Sequence, residues 1–350
     1  MAGRVHTGVD ERERLDLAAA RAGDEDAFAR LVAPHRRALH AHCYRMLGSV
    51  HDADDALQDA LLGAWRGLAT FEGRSSLRSW LYRVTTHAAI RVSERRQRRR
   101  VLGAAYAPPR TQTADLGAPV TESVFLEPYP DEHLGPDPAL VADPAARYEQ
   151  RESVELAFVA ALQWLPATQR AVLLLREVLA LPAAEVAETL GTSVASVNSA
   201  LQRARRTVDE RTPPVSQRAA LRDLGDDGAR RLLDAFVGAW EARDIDGLVG
   251  LLAEDVRFAM PPLPAWFDGR NAVRAFLVER VFERPWALRP ITANGQLALA
   301  CYMRDDAGSF PLSSVLVLTV RDGRLAGLDG FLDPDAYGPF GLPPENPPAG

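Results

Sequence analysis

Apolar positions recur at helical spacing through most of the first hundred residues. Phe28, Leu31, Val32, Leu39, Tyr44 and Leu47 mark one stretch, preceded by Gly23 and Asp24 and ended by Gly48. Asp24 can cap it, and Pro34 falls near a kink or in a first turn. Ser49, with Asp52 three residues on, resembles a capping box for the next helix. That helix gathers Ala53, Ala56, Leu57, Ala60, Leu61, Ala64 and Leu68 on one face. After the turn FEGRSS a third helical run, LRSWLYRVTTHAAIRVSERRQRRR, completes the block.

From about Ala107 to Pro144 the period collapses, with eight prolines and mostly acidic charge, the pattern of a linker. Helices resume, with Pro166 and Pro182 at first-turn positions and Gly191 between the last two; Pro213 and Pro214 close the block. The remainder changes class. Two short helices lead into a strand, another helix follows at DGRNAVRAFLVERVF, and ALRPITA, QLALACYMR, SSVLVLTVR and RLAGLDGFL read as strands, with Asp322-Gly323 as a hairpin turn. The expected architecture is multidomain: two all-α domains at 11–101 and 147–212, an acidic Pro-rich linker at 102–146 between them, and an α+β domain at 222–340.

A chain of 350 residues exceeds one ordinary core, in keeping with that division. No apolar run approaches the roughly 20 residues of a membrane span, and the N-terminus lacks a signal-peptide core, so a cytoplasmic protein is expected. Cys43 and Cys301 fit neither a disulfide framework nor a metal-ligand spacing. The last histidine is His133, which excludes histidine acid–base chemistry and histidine metal ligation from everything beyond it. The net charge of −6 hides a local pattern: residues 1–101 carry +5 and residues 107–150 carry −6. Basic charge is therefore concentrated, as phosphate binding requires.

Residues 178–208 describe a helix-turn-helix: a short helix from Pro182 to Leu190, a glycine turn, and a second helix from about Ser193. The exposed face of that second helix offers Ser193, Ser196, Asn198, Ser199, Gln202, Arg203 and Arg206. Short polar groups at a helix N-terminus can read base edges, and arginines further along can hold phosphates. An ordinary helical hairpin with a solvated polar face remains the alternative.

Three segments in order, DADDALQDALLGAWRG, FEGRSSLRSWLYRVTTHAAIRVSERRQRRR and ALQWLPATQRAVLLLREVLALPAAEVAETLGTSVASVNSALQRARR, resemble the extracytoplasmic-function group of the sigma-70 superfamily. The resemblance covers residues 20–101 and 150–210, the family's second and fourth regions, and implies a transcription initiation factor that works with core RNA polymerase at promoter DNA. It implies that Asp54, Asp55, Gln58 and Asp59 dock on the polymerase, where carboxylates can meet arginines; the alternative is a solvated face. It places Phe71, Arg74, Ser75, Ser76, Trp80, Arg83, His87, Arg91, Arg95 and Arg96 at the melted minus-ten element, although the family counterpart of Trp80 more often packs in the core. The helix-turn-helix residues named above become minus-thirty-five readers. The job needs no catalysis, metal or cofactor.

Within the linker, FLEPYPDEHL resembles a signature of the subgroup with a C-terminal SnoaL-like domain, often called SigG-like. Tyr129 between Pro128 and Pro130 is stiff and extended, suited to insertion in a channel or to docking on a neighbouring domain. Residues 226–335 resemble the SnoaL-like fold, a cone of curved sheet and helices. Phe236, Trp240, Val256, Phe258, Trp266, Phe276, Phe282, Trp286, Tyr302 and Phe331 are expected to line or fill the cone, which could hold a small apolar ligand. The resemblance further implies that this domain docks on the sigma domains, with Phe331, Asp333, Pro334, Asp335 and Tyr337 as a contact loop. A stand-alone helix-turn-helix regulator with a ligand-sensing domain is the competing reading; it leaves residues 20–101 without a purpose.

Overall fold

The structure is a computed structural model, and it describes residues 6–71, 73, 75–95, 101–102, 108–120, 124–134 and 154–346. The first helical bundle contains α1 (His6–Arg21), α2 (Glu25–Val32), α3 (Arg36–Leu47), α4 (Val50–Gly67) and α5 (Leu77–Arg95). Its stops and starts follow the sequence signals. Asp24 accepts the Ala27 N–H at 3.0 Å, Gly48 ends α3 in the left-handed region at φ 73°, and Ser49 accepts the Asp52 N–H at 3.2 Å to open α4. Leu39, Tyr44, Ala53, Leu57, Trp80 and Leu81 are buried together between α3, α4 and α5.

The second bundle comprises α6 (Leu156–Leu162), α7 (Ala167–Leu173, continued by a π turn to Val178), α8 (Ala183–Leu190) and α9 (Val194–Asp209). Gly191, at φ 62°, makes the turn between α8 and α9, and Ser193 caps α9 by accepting the Ser196 N–H at 3.1 Å. This bundle packs directly on the first. Arg170 of α7 is buried and donates to the carbonyls of Leu162 (2.9 Å), Leu165 (3.0 Å) and Met46, the last belonging to α3. Burial without a carboxylate among the contributing groups pulls its pKa down to about 10.

In the C-terminal domain, α10 (Gln217–Leu224), α11 (Asp226–Glu241) and α12 (Ile245–Leu251) precede a six-stranded sheet, and α13 (Arg270–Glu279) lies between its strands. With β1 (Val101–Leu102) and β2 (Val124–Phe125) forming a separate parallel pair, the sheet strands are β3 (Leu252–Ala259), β4 (Trp266–Asp268), β5 (Trp286–Ala293), β6 (Gln296–Met303), β7 (Leu312–Arg321) and β8 (Arg324–Phe331). Their order is β4-β3-β8-β7-β6-β5; β3 and β8 run parallel and the other neighbours antiparallel.

Both faces of the central strands are buried, which explains their near-continuous apolar runs. Leu299, Cys301, Leu316, Leu318 and Leu328 face an interior shared with Phe236, Trp240, Phe258, Phe276 and Phe282. Ala298, Val315, Val317 and Phe331 face the other way and join the core of the helical bundles. Of the two places the sequence suggests for Phe331, the cone interior and the contact with the sigma domains, the structure gives the second. Phe331 pairs in register with Val315, so the two share a face, and that face meets the bundles.

The segment between the bundles is laid along the C-terminal domain. Arg110 donates its N–H to the Trp266 carbonyl at 2.8 Å, Thr113 bonds Glu279 of α13, Leu116 packs on the domain's interior cluster, and the Val120 N–H reaches the Pro262 carbonyl at 3.0 Å. Residues 124–134 then pass between α3, the start of α4 and the β5–β6 turn.

Candidate nucleic-acid interface

Helix α9 is amphipathic. Val197, Ala200, Leu201, Ala204 and Val208 are buried, and Ser196, Asn198, Ser199, Gln202, Arg203 and Arg206 are exposed on the opposite face. Ser193 is exposed too, with its hydroxyl engaged as the N-cap. Arg205 pairs with Glu177, which anchors α9 to the π turn. Val194, 44% exposed, is an apolar group at the tip of this face that periodicity alone did not single out. The face can enter a major groove with its polar N-terminal half at the bases and its arginines at the phosphates.

Asp54, Asp55, Gln58 and Asp59 are all exposed on α4. Asp54 lies 3.1 Å from His40 Nε2, and Asp59 lies 3.7 Å from Arg95. One turn beyond them Leu62 is 48% exposed, so the acidic face carries an apolar centre that counting charges misses.

The minus-ten segment is placed less uniformly. Phe71 and Trp80 are buried against each other with ring centroids 5.0 Å apart, and Arg21 stacks over Phe71 and bonds its carbonyl. Neither ring is an exposed platform for an unstacked base, because Trp80 faces the bundle core along with Leu77 and Leu81. Ser75 and Ser76 are exposed, and Ser76 caps α5 by accepting the Ser79 N–H at 3.1 Å. Arg83 is half-buried, while Arg91 and Arg95 are exposed. His87 donates from Nε2 to the Thr189 carbonyl of α8 at 2.8 Å, across the boundary between bundles. Arg74 and Arg96 lie outside the described residues.

Where the bundles, the connecting segment and the sheet meet, a polar joint is buried. The Tyr129 hydroxyl sits 2.7 Å from His40 Nδ1, and its ring lies 4.4 Å from that of Tyr44. Burial holds His40 below its ordinary pKa against the pull of Asp54, with His133 adding to the lowering. The Tyr44 hydroxyl donates to the Glu127 carbonyl at 2.8 Å, and the Glu127 carboxylate accepts the Val50 N–H at 2.6 Å at the start of α4. Burial raises the Glu127 pKa, and bonds from Ser49 and Val50 oppose it. From the sheet, Asn294 and Gly295 enter the same place. Asn-Gly between two strands is a strong hairpin signal; that the turn would be buried against other domains has no local signature. At the C-terminal end, His51 Nε2 donates to the Asp335 carbonyl at 2.8 Å, and Tyr337 packs on the bundle core. Glu155 accepts the N–H groups of Gln217 and Arg218 at 2.8 and 2.9 Å, joining the start of α6 to the start of α10.

Comparison with known proteins fits this arrangement. Residues 31–100 match the Sigma-70 region 2 family, residues 155–208 the Sigma-70 region 4 family, and residues 233–328 the SnoaL-like domain family. Fold and site together define a sigma-70-type chain extended by a SnoaL-like domain. The ECF RNA polymerase sigma factor SigG of Mycobacterium tuberculosis is 42% identical over 323 residues, spanning 90% of this chain and 84% of that protein. The chain belongs to the extracytoplasmic-function (ECF) RNA polymerase sigma factors. ECF sigma factor SigJ of the same organism is 26% identical over 315 residues, 86% of this chain and 90% of its own. The crystal structure of SigJ shares the fold with a TM-score of 0.57 at 24% identity, covering 89% of this chain and 98% of that one. No helix among the described residues is long and apolar enough to cross a membrane.

Proposed function

We propose that this chain directs core RNA polymerase to promoters, and that the arrangement described above is a closed, resting form held by its SnoaL-like domain. In this reading the α4 face with Asp54, Asp55, Gln58, Asp59 and Leu62 meets the polymerase. Helix α9 takes the upstream duplex, and Ser75, Ser76, Arg83, His87, Arg91 and Arg95 serve the melted element. Phe71 and Trp80 support that surface from beneath. The C-terminal domain needs no chemistry of its own: residues 134–350 contain no histidine, and Asp255 is paired with Arg321 at the surface.

The observation that carries the closed form is the His87–Thr189 bond. Elements centred near minus ten and minus thirty-five are about 25 base pairs apart, or roughly 85 Å at about 3.4 Å per pair. Two surfaces brought within hydrogen-bonding distance of each other cannot span that separation, so promoter engagement parts the bundles. Run-off transcription with purified core polymerase tests the proposal, comparing the full chain with one ending after Thr212. The shorter chain is expected to bind the polymerase and to initiate more strongly than the full chain at equal concentration. Equal or weaker initiation by a well-folded shorter chain refutes the resting form. Specific binding of duplex DNA by the full chain without polymerase would favour a stand-alone regulator. A small apolar ligand fits the same scheme as an effector, favoured by an aromatic interior in which the buried Trp240 indole N–H has no hydrogen-bond partner among the described residues.

A further inference from the structure

The β5–β6 connection is a two-residue turn with Asn294 at φ 57° and Gly295 at φ 68°. Such a turn needs asparagine or glycine for its backbone shape and makes no demand on the side chain. It is ordinarily a solvated hairpin tip, yet Asn294 has no exposed surface. Its polar groups are spent on other parts of the chain. The side-chain Oδ1 accepts the Tyr129 N–H at 2.7 Å, and the Asn294 N–H returns the bond to the Tyr129 carbonyl at 2.9 Å. Nδ2 donates to the Tyr44 hydroxyl of α3 at 2.9 Å and to the Val154 carbonyl, at the entry to the second bundle, at 2.6 Å. Next to it, the Gly295 N–H meets the Asp131 carboxylate at 2.8 Å.

We infer that Asn294 is the positioning residue of the whole assembly: one side chain from the SnoaL-like domain that ties together the connecting segment, the first bundle and the entry to the second. The inference rests on the closed form proposed above and says what holds it. Its own domain does not depend on that side chain, because glycine adopts the same left-handed backbone without strain. Asn294→Gly therefore removes the Oδ1 and Nδ2 bonds and leaves the hairpin intact. Asn294→Asp keeps the turn's backbone shape and an acceptor for the Tyr129 N–H, but it loses both Nδ2 donations and buries a carboxylate against the Val154 carbonyl, so it opens the joint at least as strongly.

The test uses the full chain with spin labels on cysteines introduced by Ala69→Cys in the first bundle and Asp209→Cys in the second, both exposed positions; native Cys43 and Cys301 are buried. Dipolar spectroscopy is expected to give one short distance in the parent. In Asn294→Gly a longer population grows at least tenfold, and in Asn294→Asp it grows at least as much, with melting of the C-terminal domain unchanged in Asn294→Gly. A distance distribution in Asn294→Gly that matches the parent overturns the inference. Should that variant lose the C-terminal domain's melting transition, Asn294→Asp decides, since it keeps the turn residue's backbone freedom and removes both Nδ2 donations. An Asn294→Asp chain that stays closed overturns the inference, and one that opens supports it. Transcription separates this from the earlier proposal. An opened Asn294→Gly chain that initiates no better than the parent refutes inhibition by the closed form while upholding Asn294 as the tie.

Discussion

Tyr129→Ala probes how strongly the connecting segment is held. The parent ring has no exposed surface and is enclosed by Tyr44, His40 and His133, with centroid distances of 4.4, 5.6 and 6.0 Å. Emptying such a site costs about 3–5 kcal/mol. In the released segment the side chain is hydrated, so the loss falls almost wholly on the docked state. At about 1.4 kcal/mol per tenfold, the opening equilibrium shifts by roughly 100- to 4000-fold. Tyr129→Phe keeps the ring and removes only the contact with His40, worth about 0.5–1.5 kcal/mol, or roughly 2- to 12-fold.

Three backbone N–H groups report on docking under conditions where exchange follows the opening equilibrium. Those of Glu127, Tyr129 and Asn294 are bonded to the Gly48 carbonyl, Asn294 Oδ1 and the Tyr129 carbonyl at 3.0, 2.7 and 2.9 Å. Hydrogen exchange at all three should accelerate at least a hundredfold in Tyr129→Ala and modestly in Tyr129→Phe, with the first bundle's core amides unchanged. Acceleration below tenfold in Tyr129→Ala, or an equal rise across the α3 and α5 amides, refutes the reasoning.

Three further outcomes are expected. His42 is fully buried against Thr86 Oγ1 at 2.9 Å, and burial, helped by Arg45, pushes its pKa down to about 3. Its folded value lies below its unfolded one, so the stability it contributes is complete above about pH 6.5 and drains as pH falls towards 3; at about 1.36 kcal/mol per pH unit this amounts to roughly 4–5 kcal/mol. Acid denaturation followed by circular dichroism should be less steep over that window in His42→Gln. In holoenzyme, Arg203→Gln and Arg206→Gln should each flatten the salt dependence of promoter binding by about 0.9 in log–log slope, whereas Asn198→Ala should cost about 1–3 kcal/mol at one base pair; titrations across salt and single-base variants distinguish them. Asp55→Arg with Leu62→Glu should weaken association with core polymerase at least tenfold in a sedimentation or interferometry assay, while Glu188→Gln, exposed on α8, should leave it unchanged.

The helices, their caps and the helix-turn-helix were legible because each has a local cause. Asp24, Gly48, Ser49, Gly191 and Ser193 act through bonds or backbone angles within a few residues. The polar face of α9 follows from period alone. Trp80 is ambiguous in sequence because a single aromatic in a helix's first turn fits either face, and the partner that decides it, Phe71, lies nine positions back across the turn. The connecting segment was harder. Tyr129 marks it as stiff, but its partners lie 89 positions back at His40 and 165 ahead at Asn294, and no period links them. Phe331 fits both the cone and the inter-domain contact from sequence, because a strand buried on both sides shows no alternation from which to choose; the structure places it at the contact.

That two-sided burial also bears on how the chain opens. Ala298, Val315, Val317 and Phe331 would face water if the C-terminal domain swung free, together with the Tyr129 ring and the Tyr44 ring it covers. Exposed apolar area costs about 25 cal/mol per Å²; swinging the C-terminal domain free also costs the Glu155 bonds to α10, and parting the bundles costs the buried Arg170–Met46 bond. Thermal motion alone therefore keeps the opened form rare, and a binding partner has to supply the difference. In the proposed scheme core polymerase meets the α4 face, and the first N–H of α4, that of Val50, bonds Glu127 of the same connecting segment that carries Tyr129. On this argument polymerase affinity and joint strength oppose each other: Asn294→Gly should raise the apparent affinity for core polymerase by the factor by which it raises the open population.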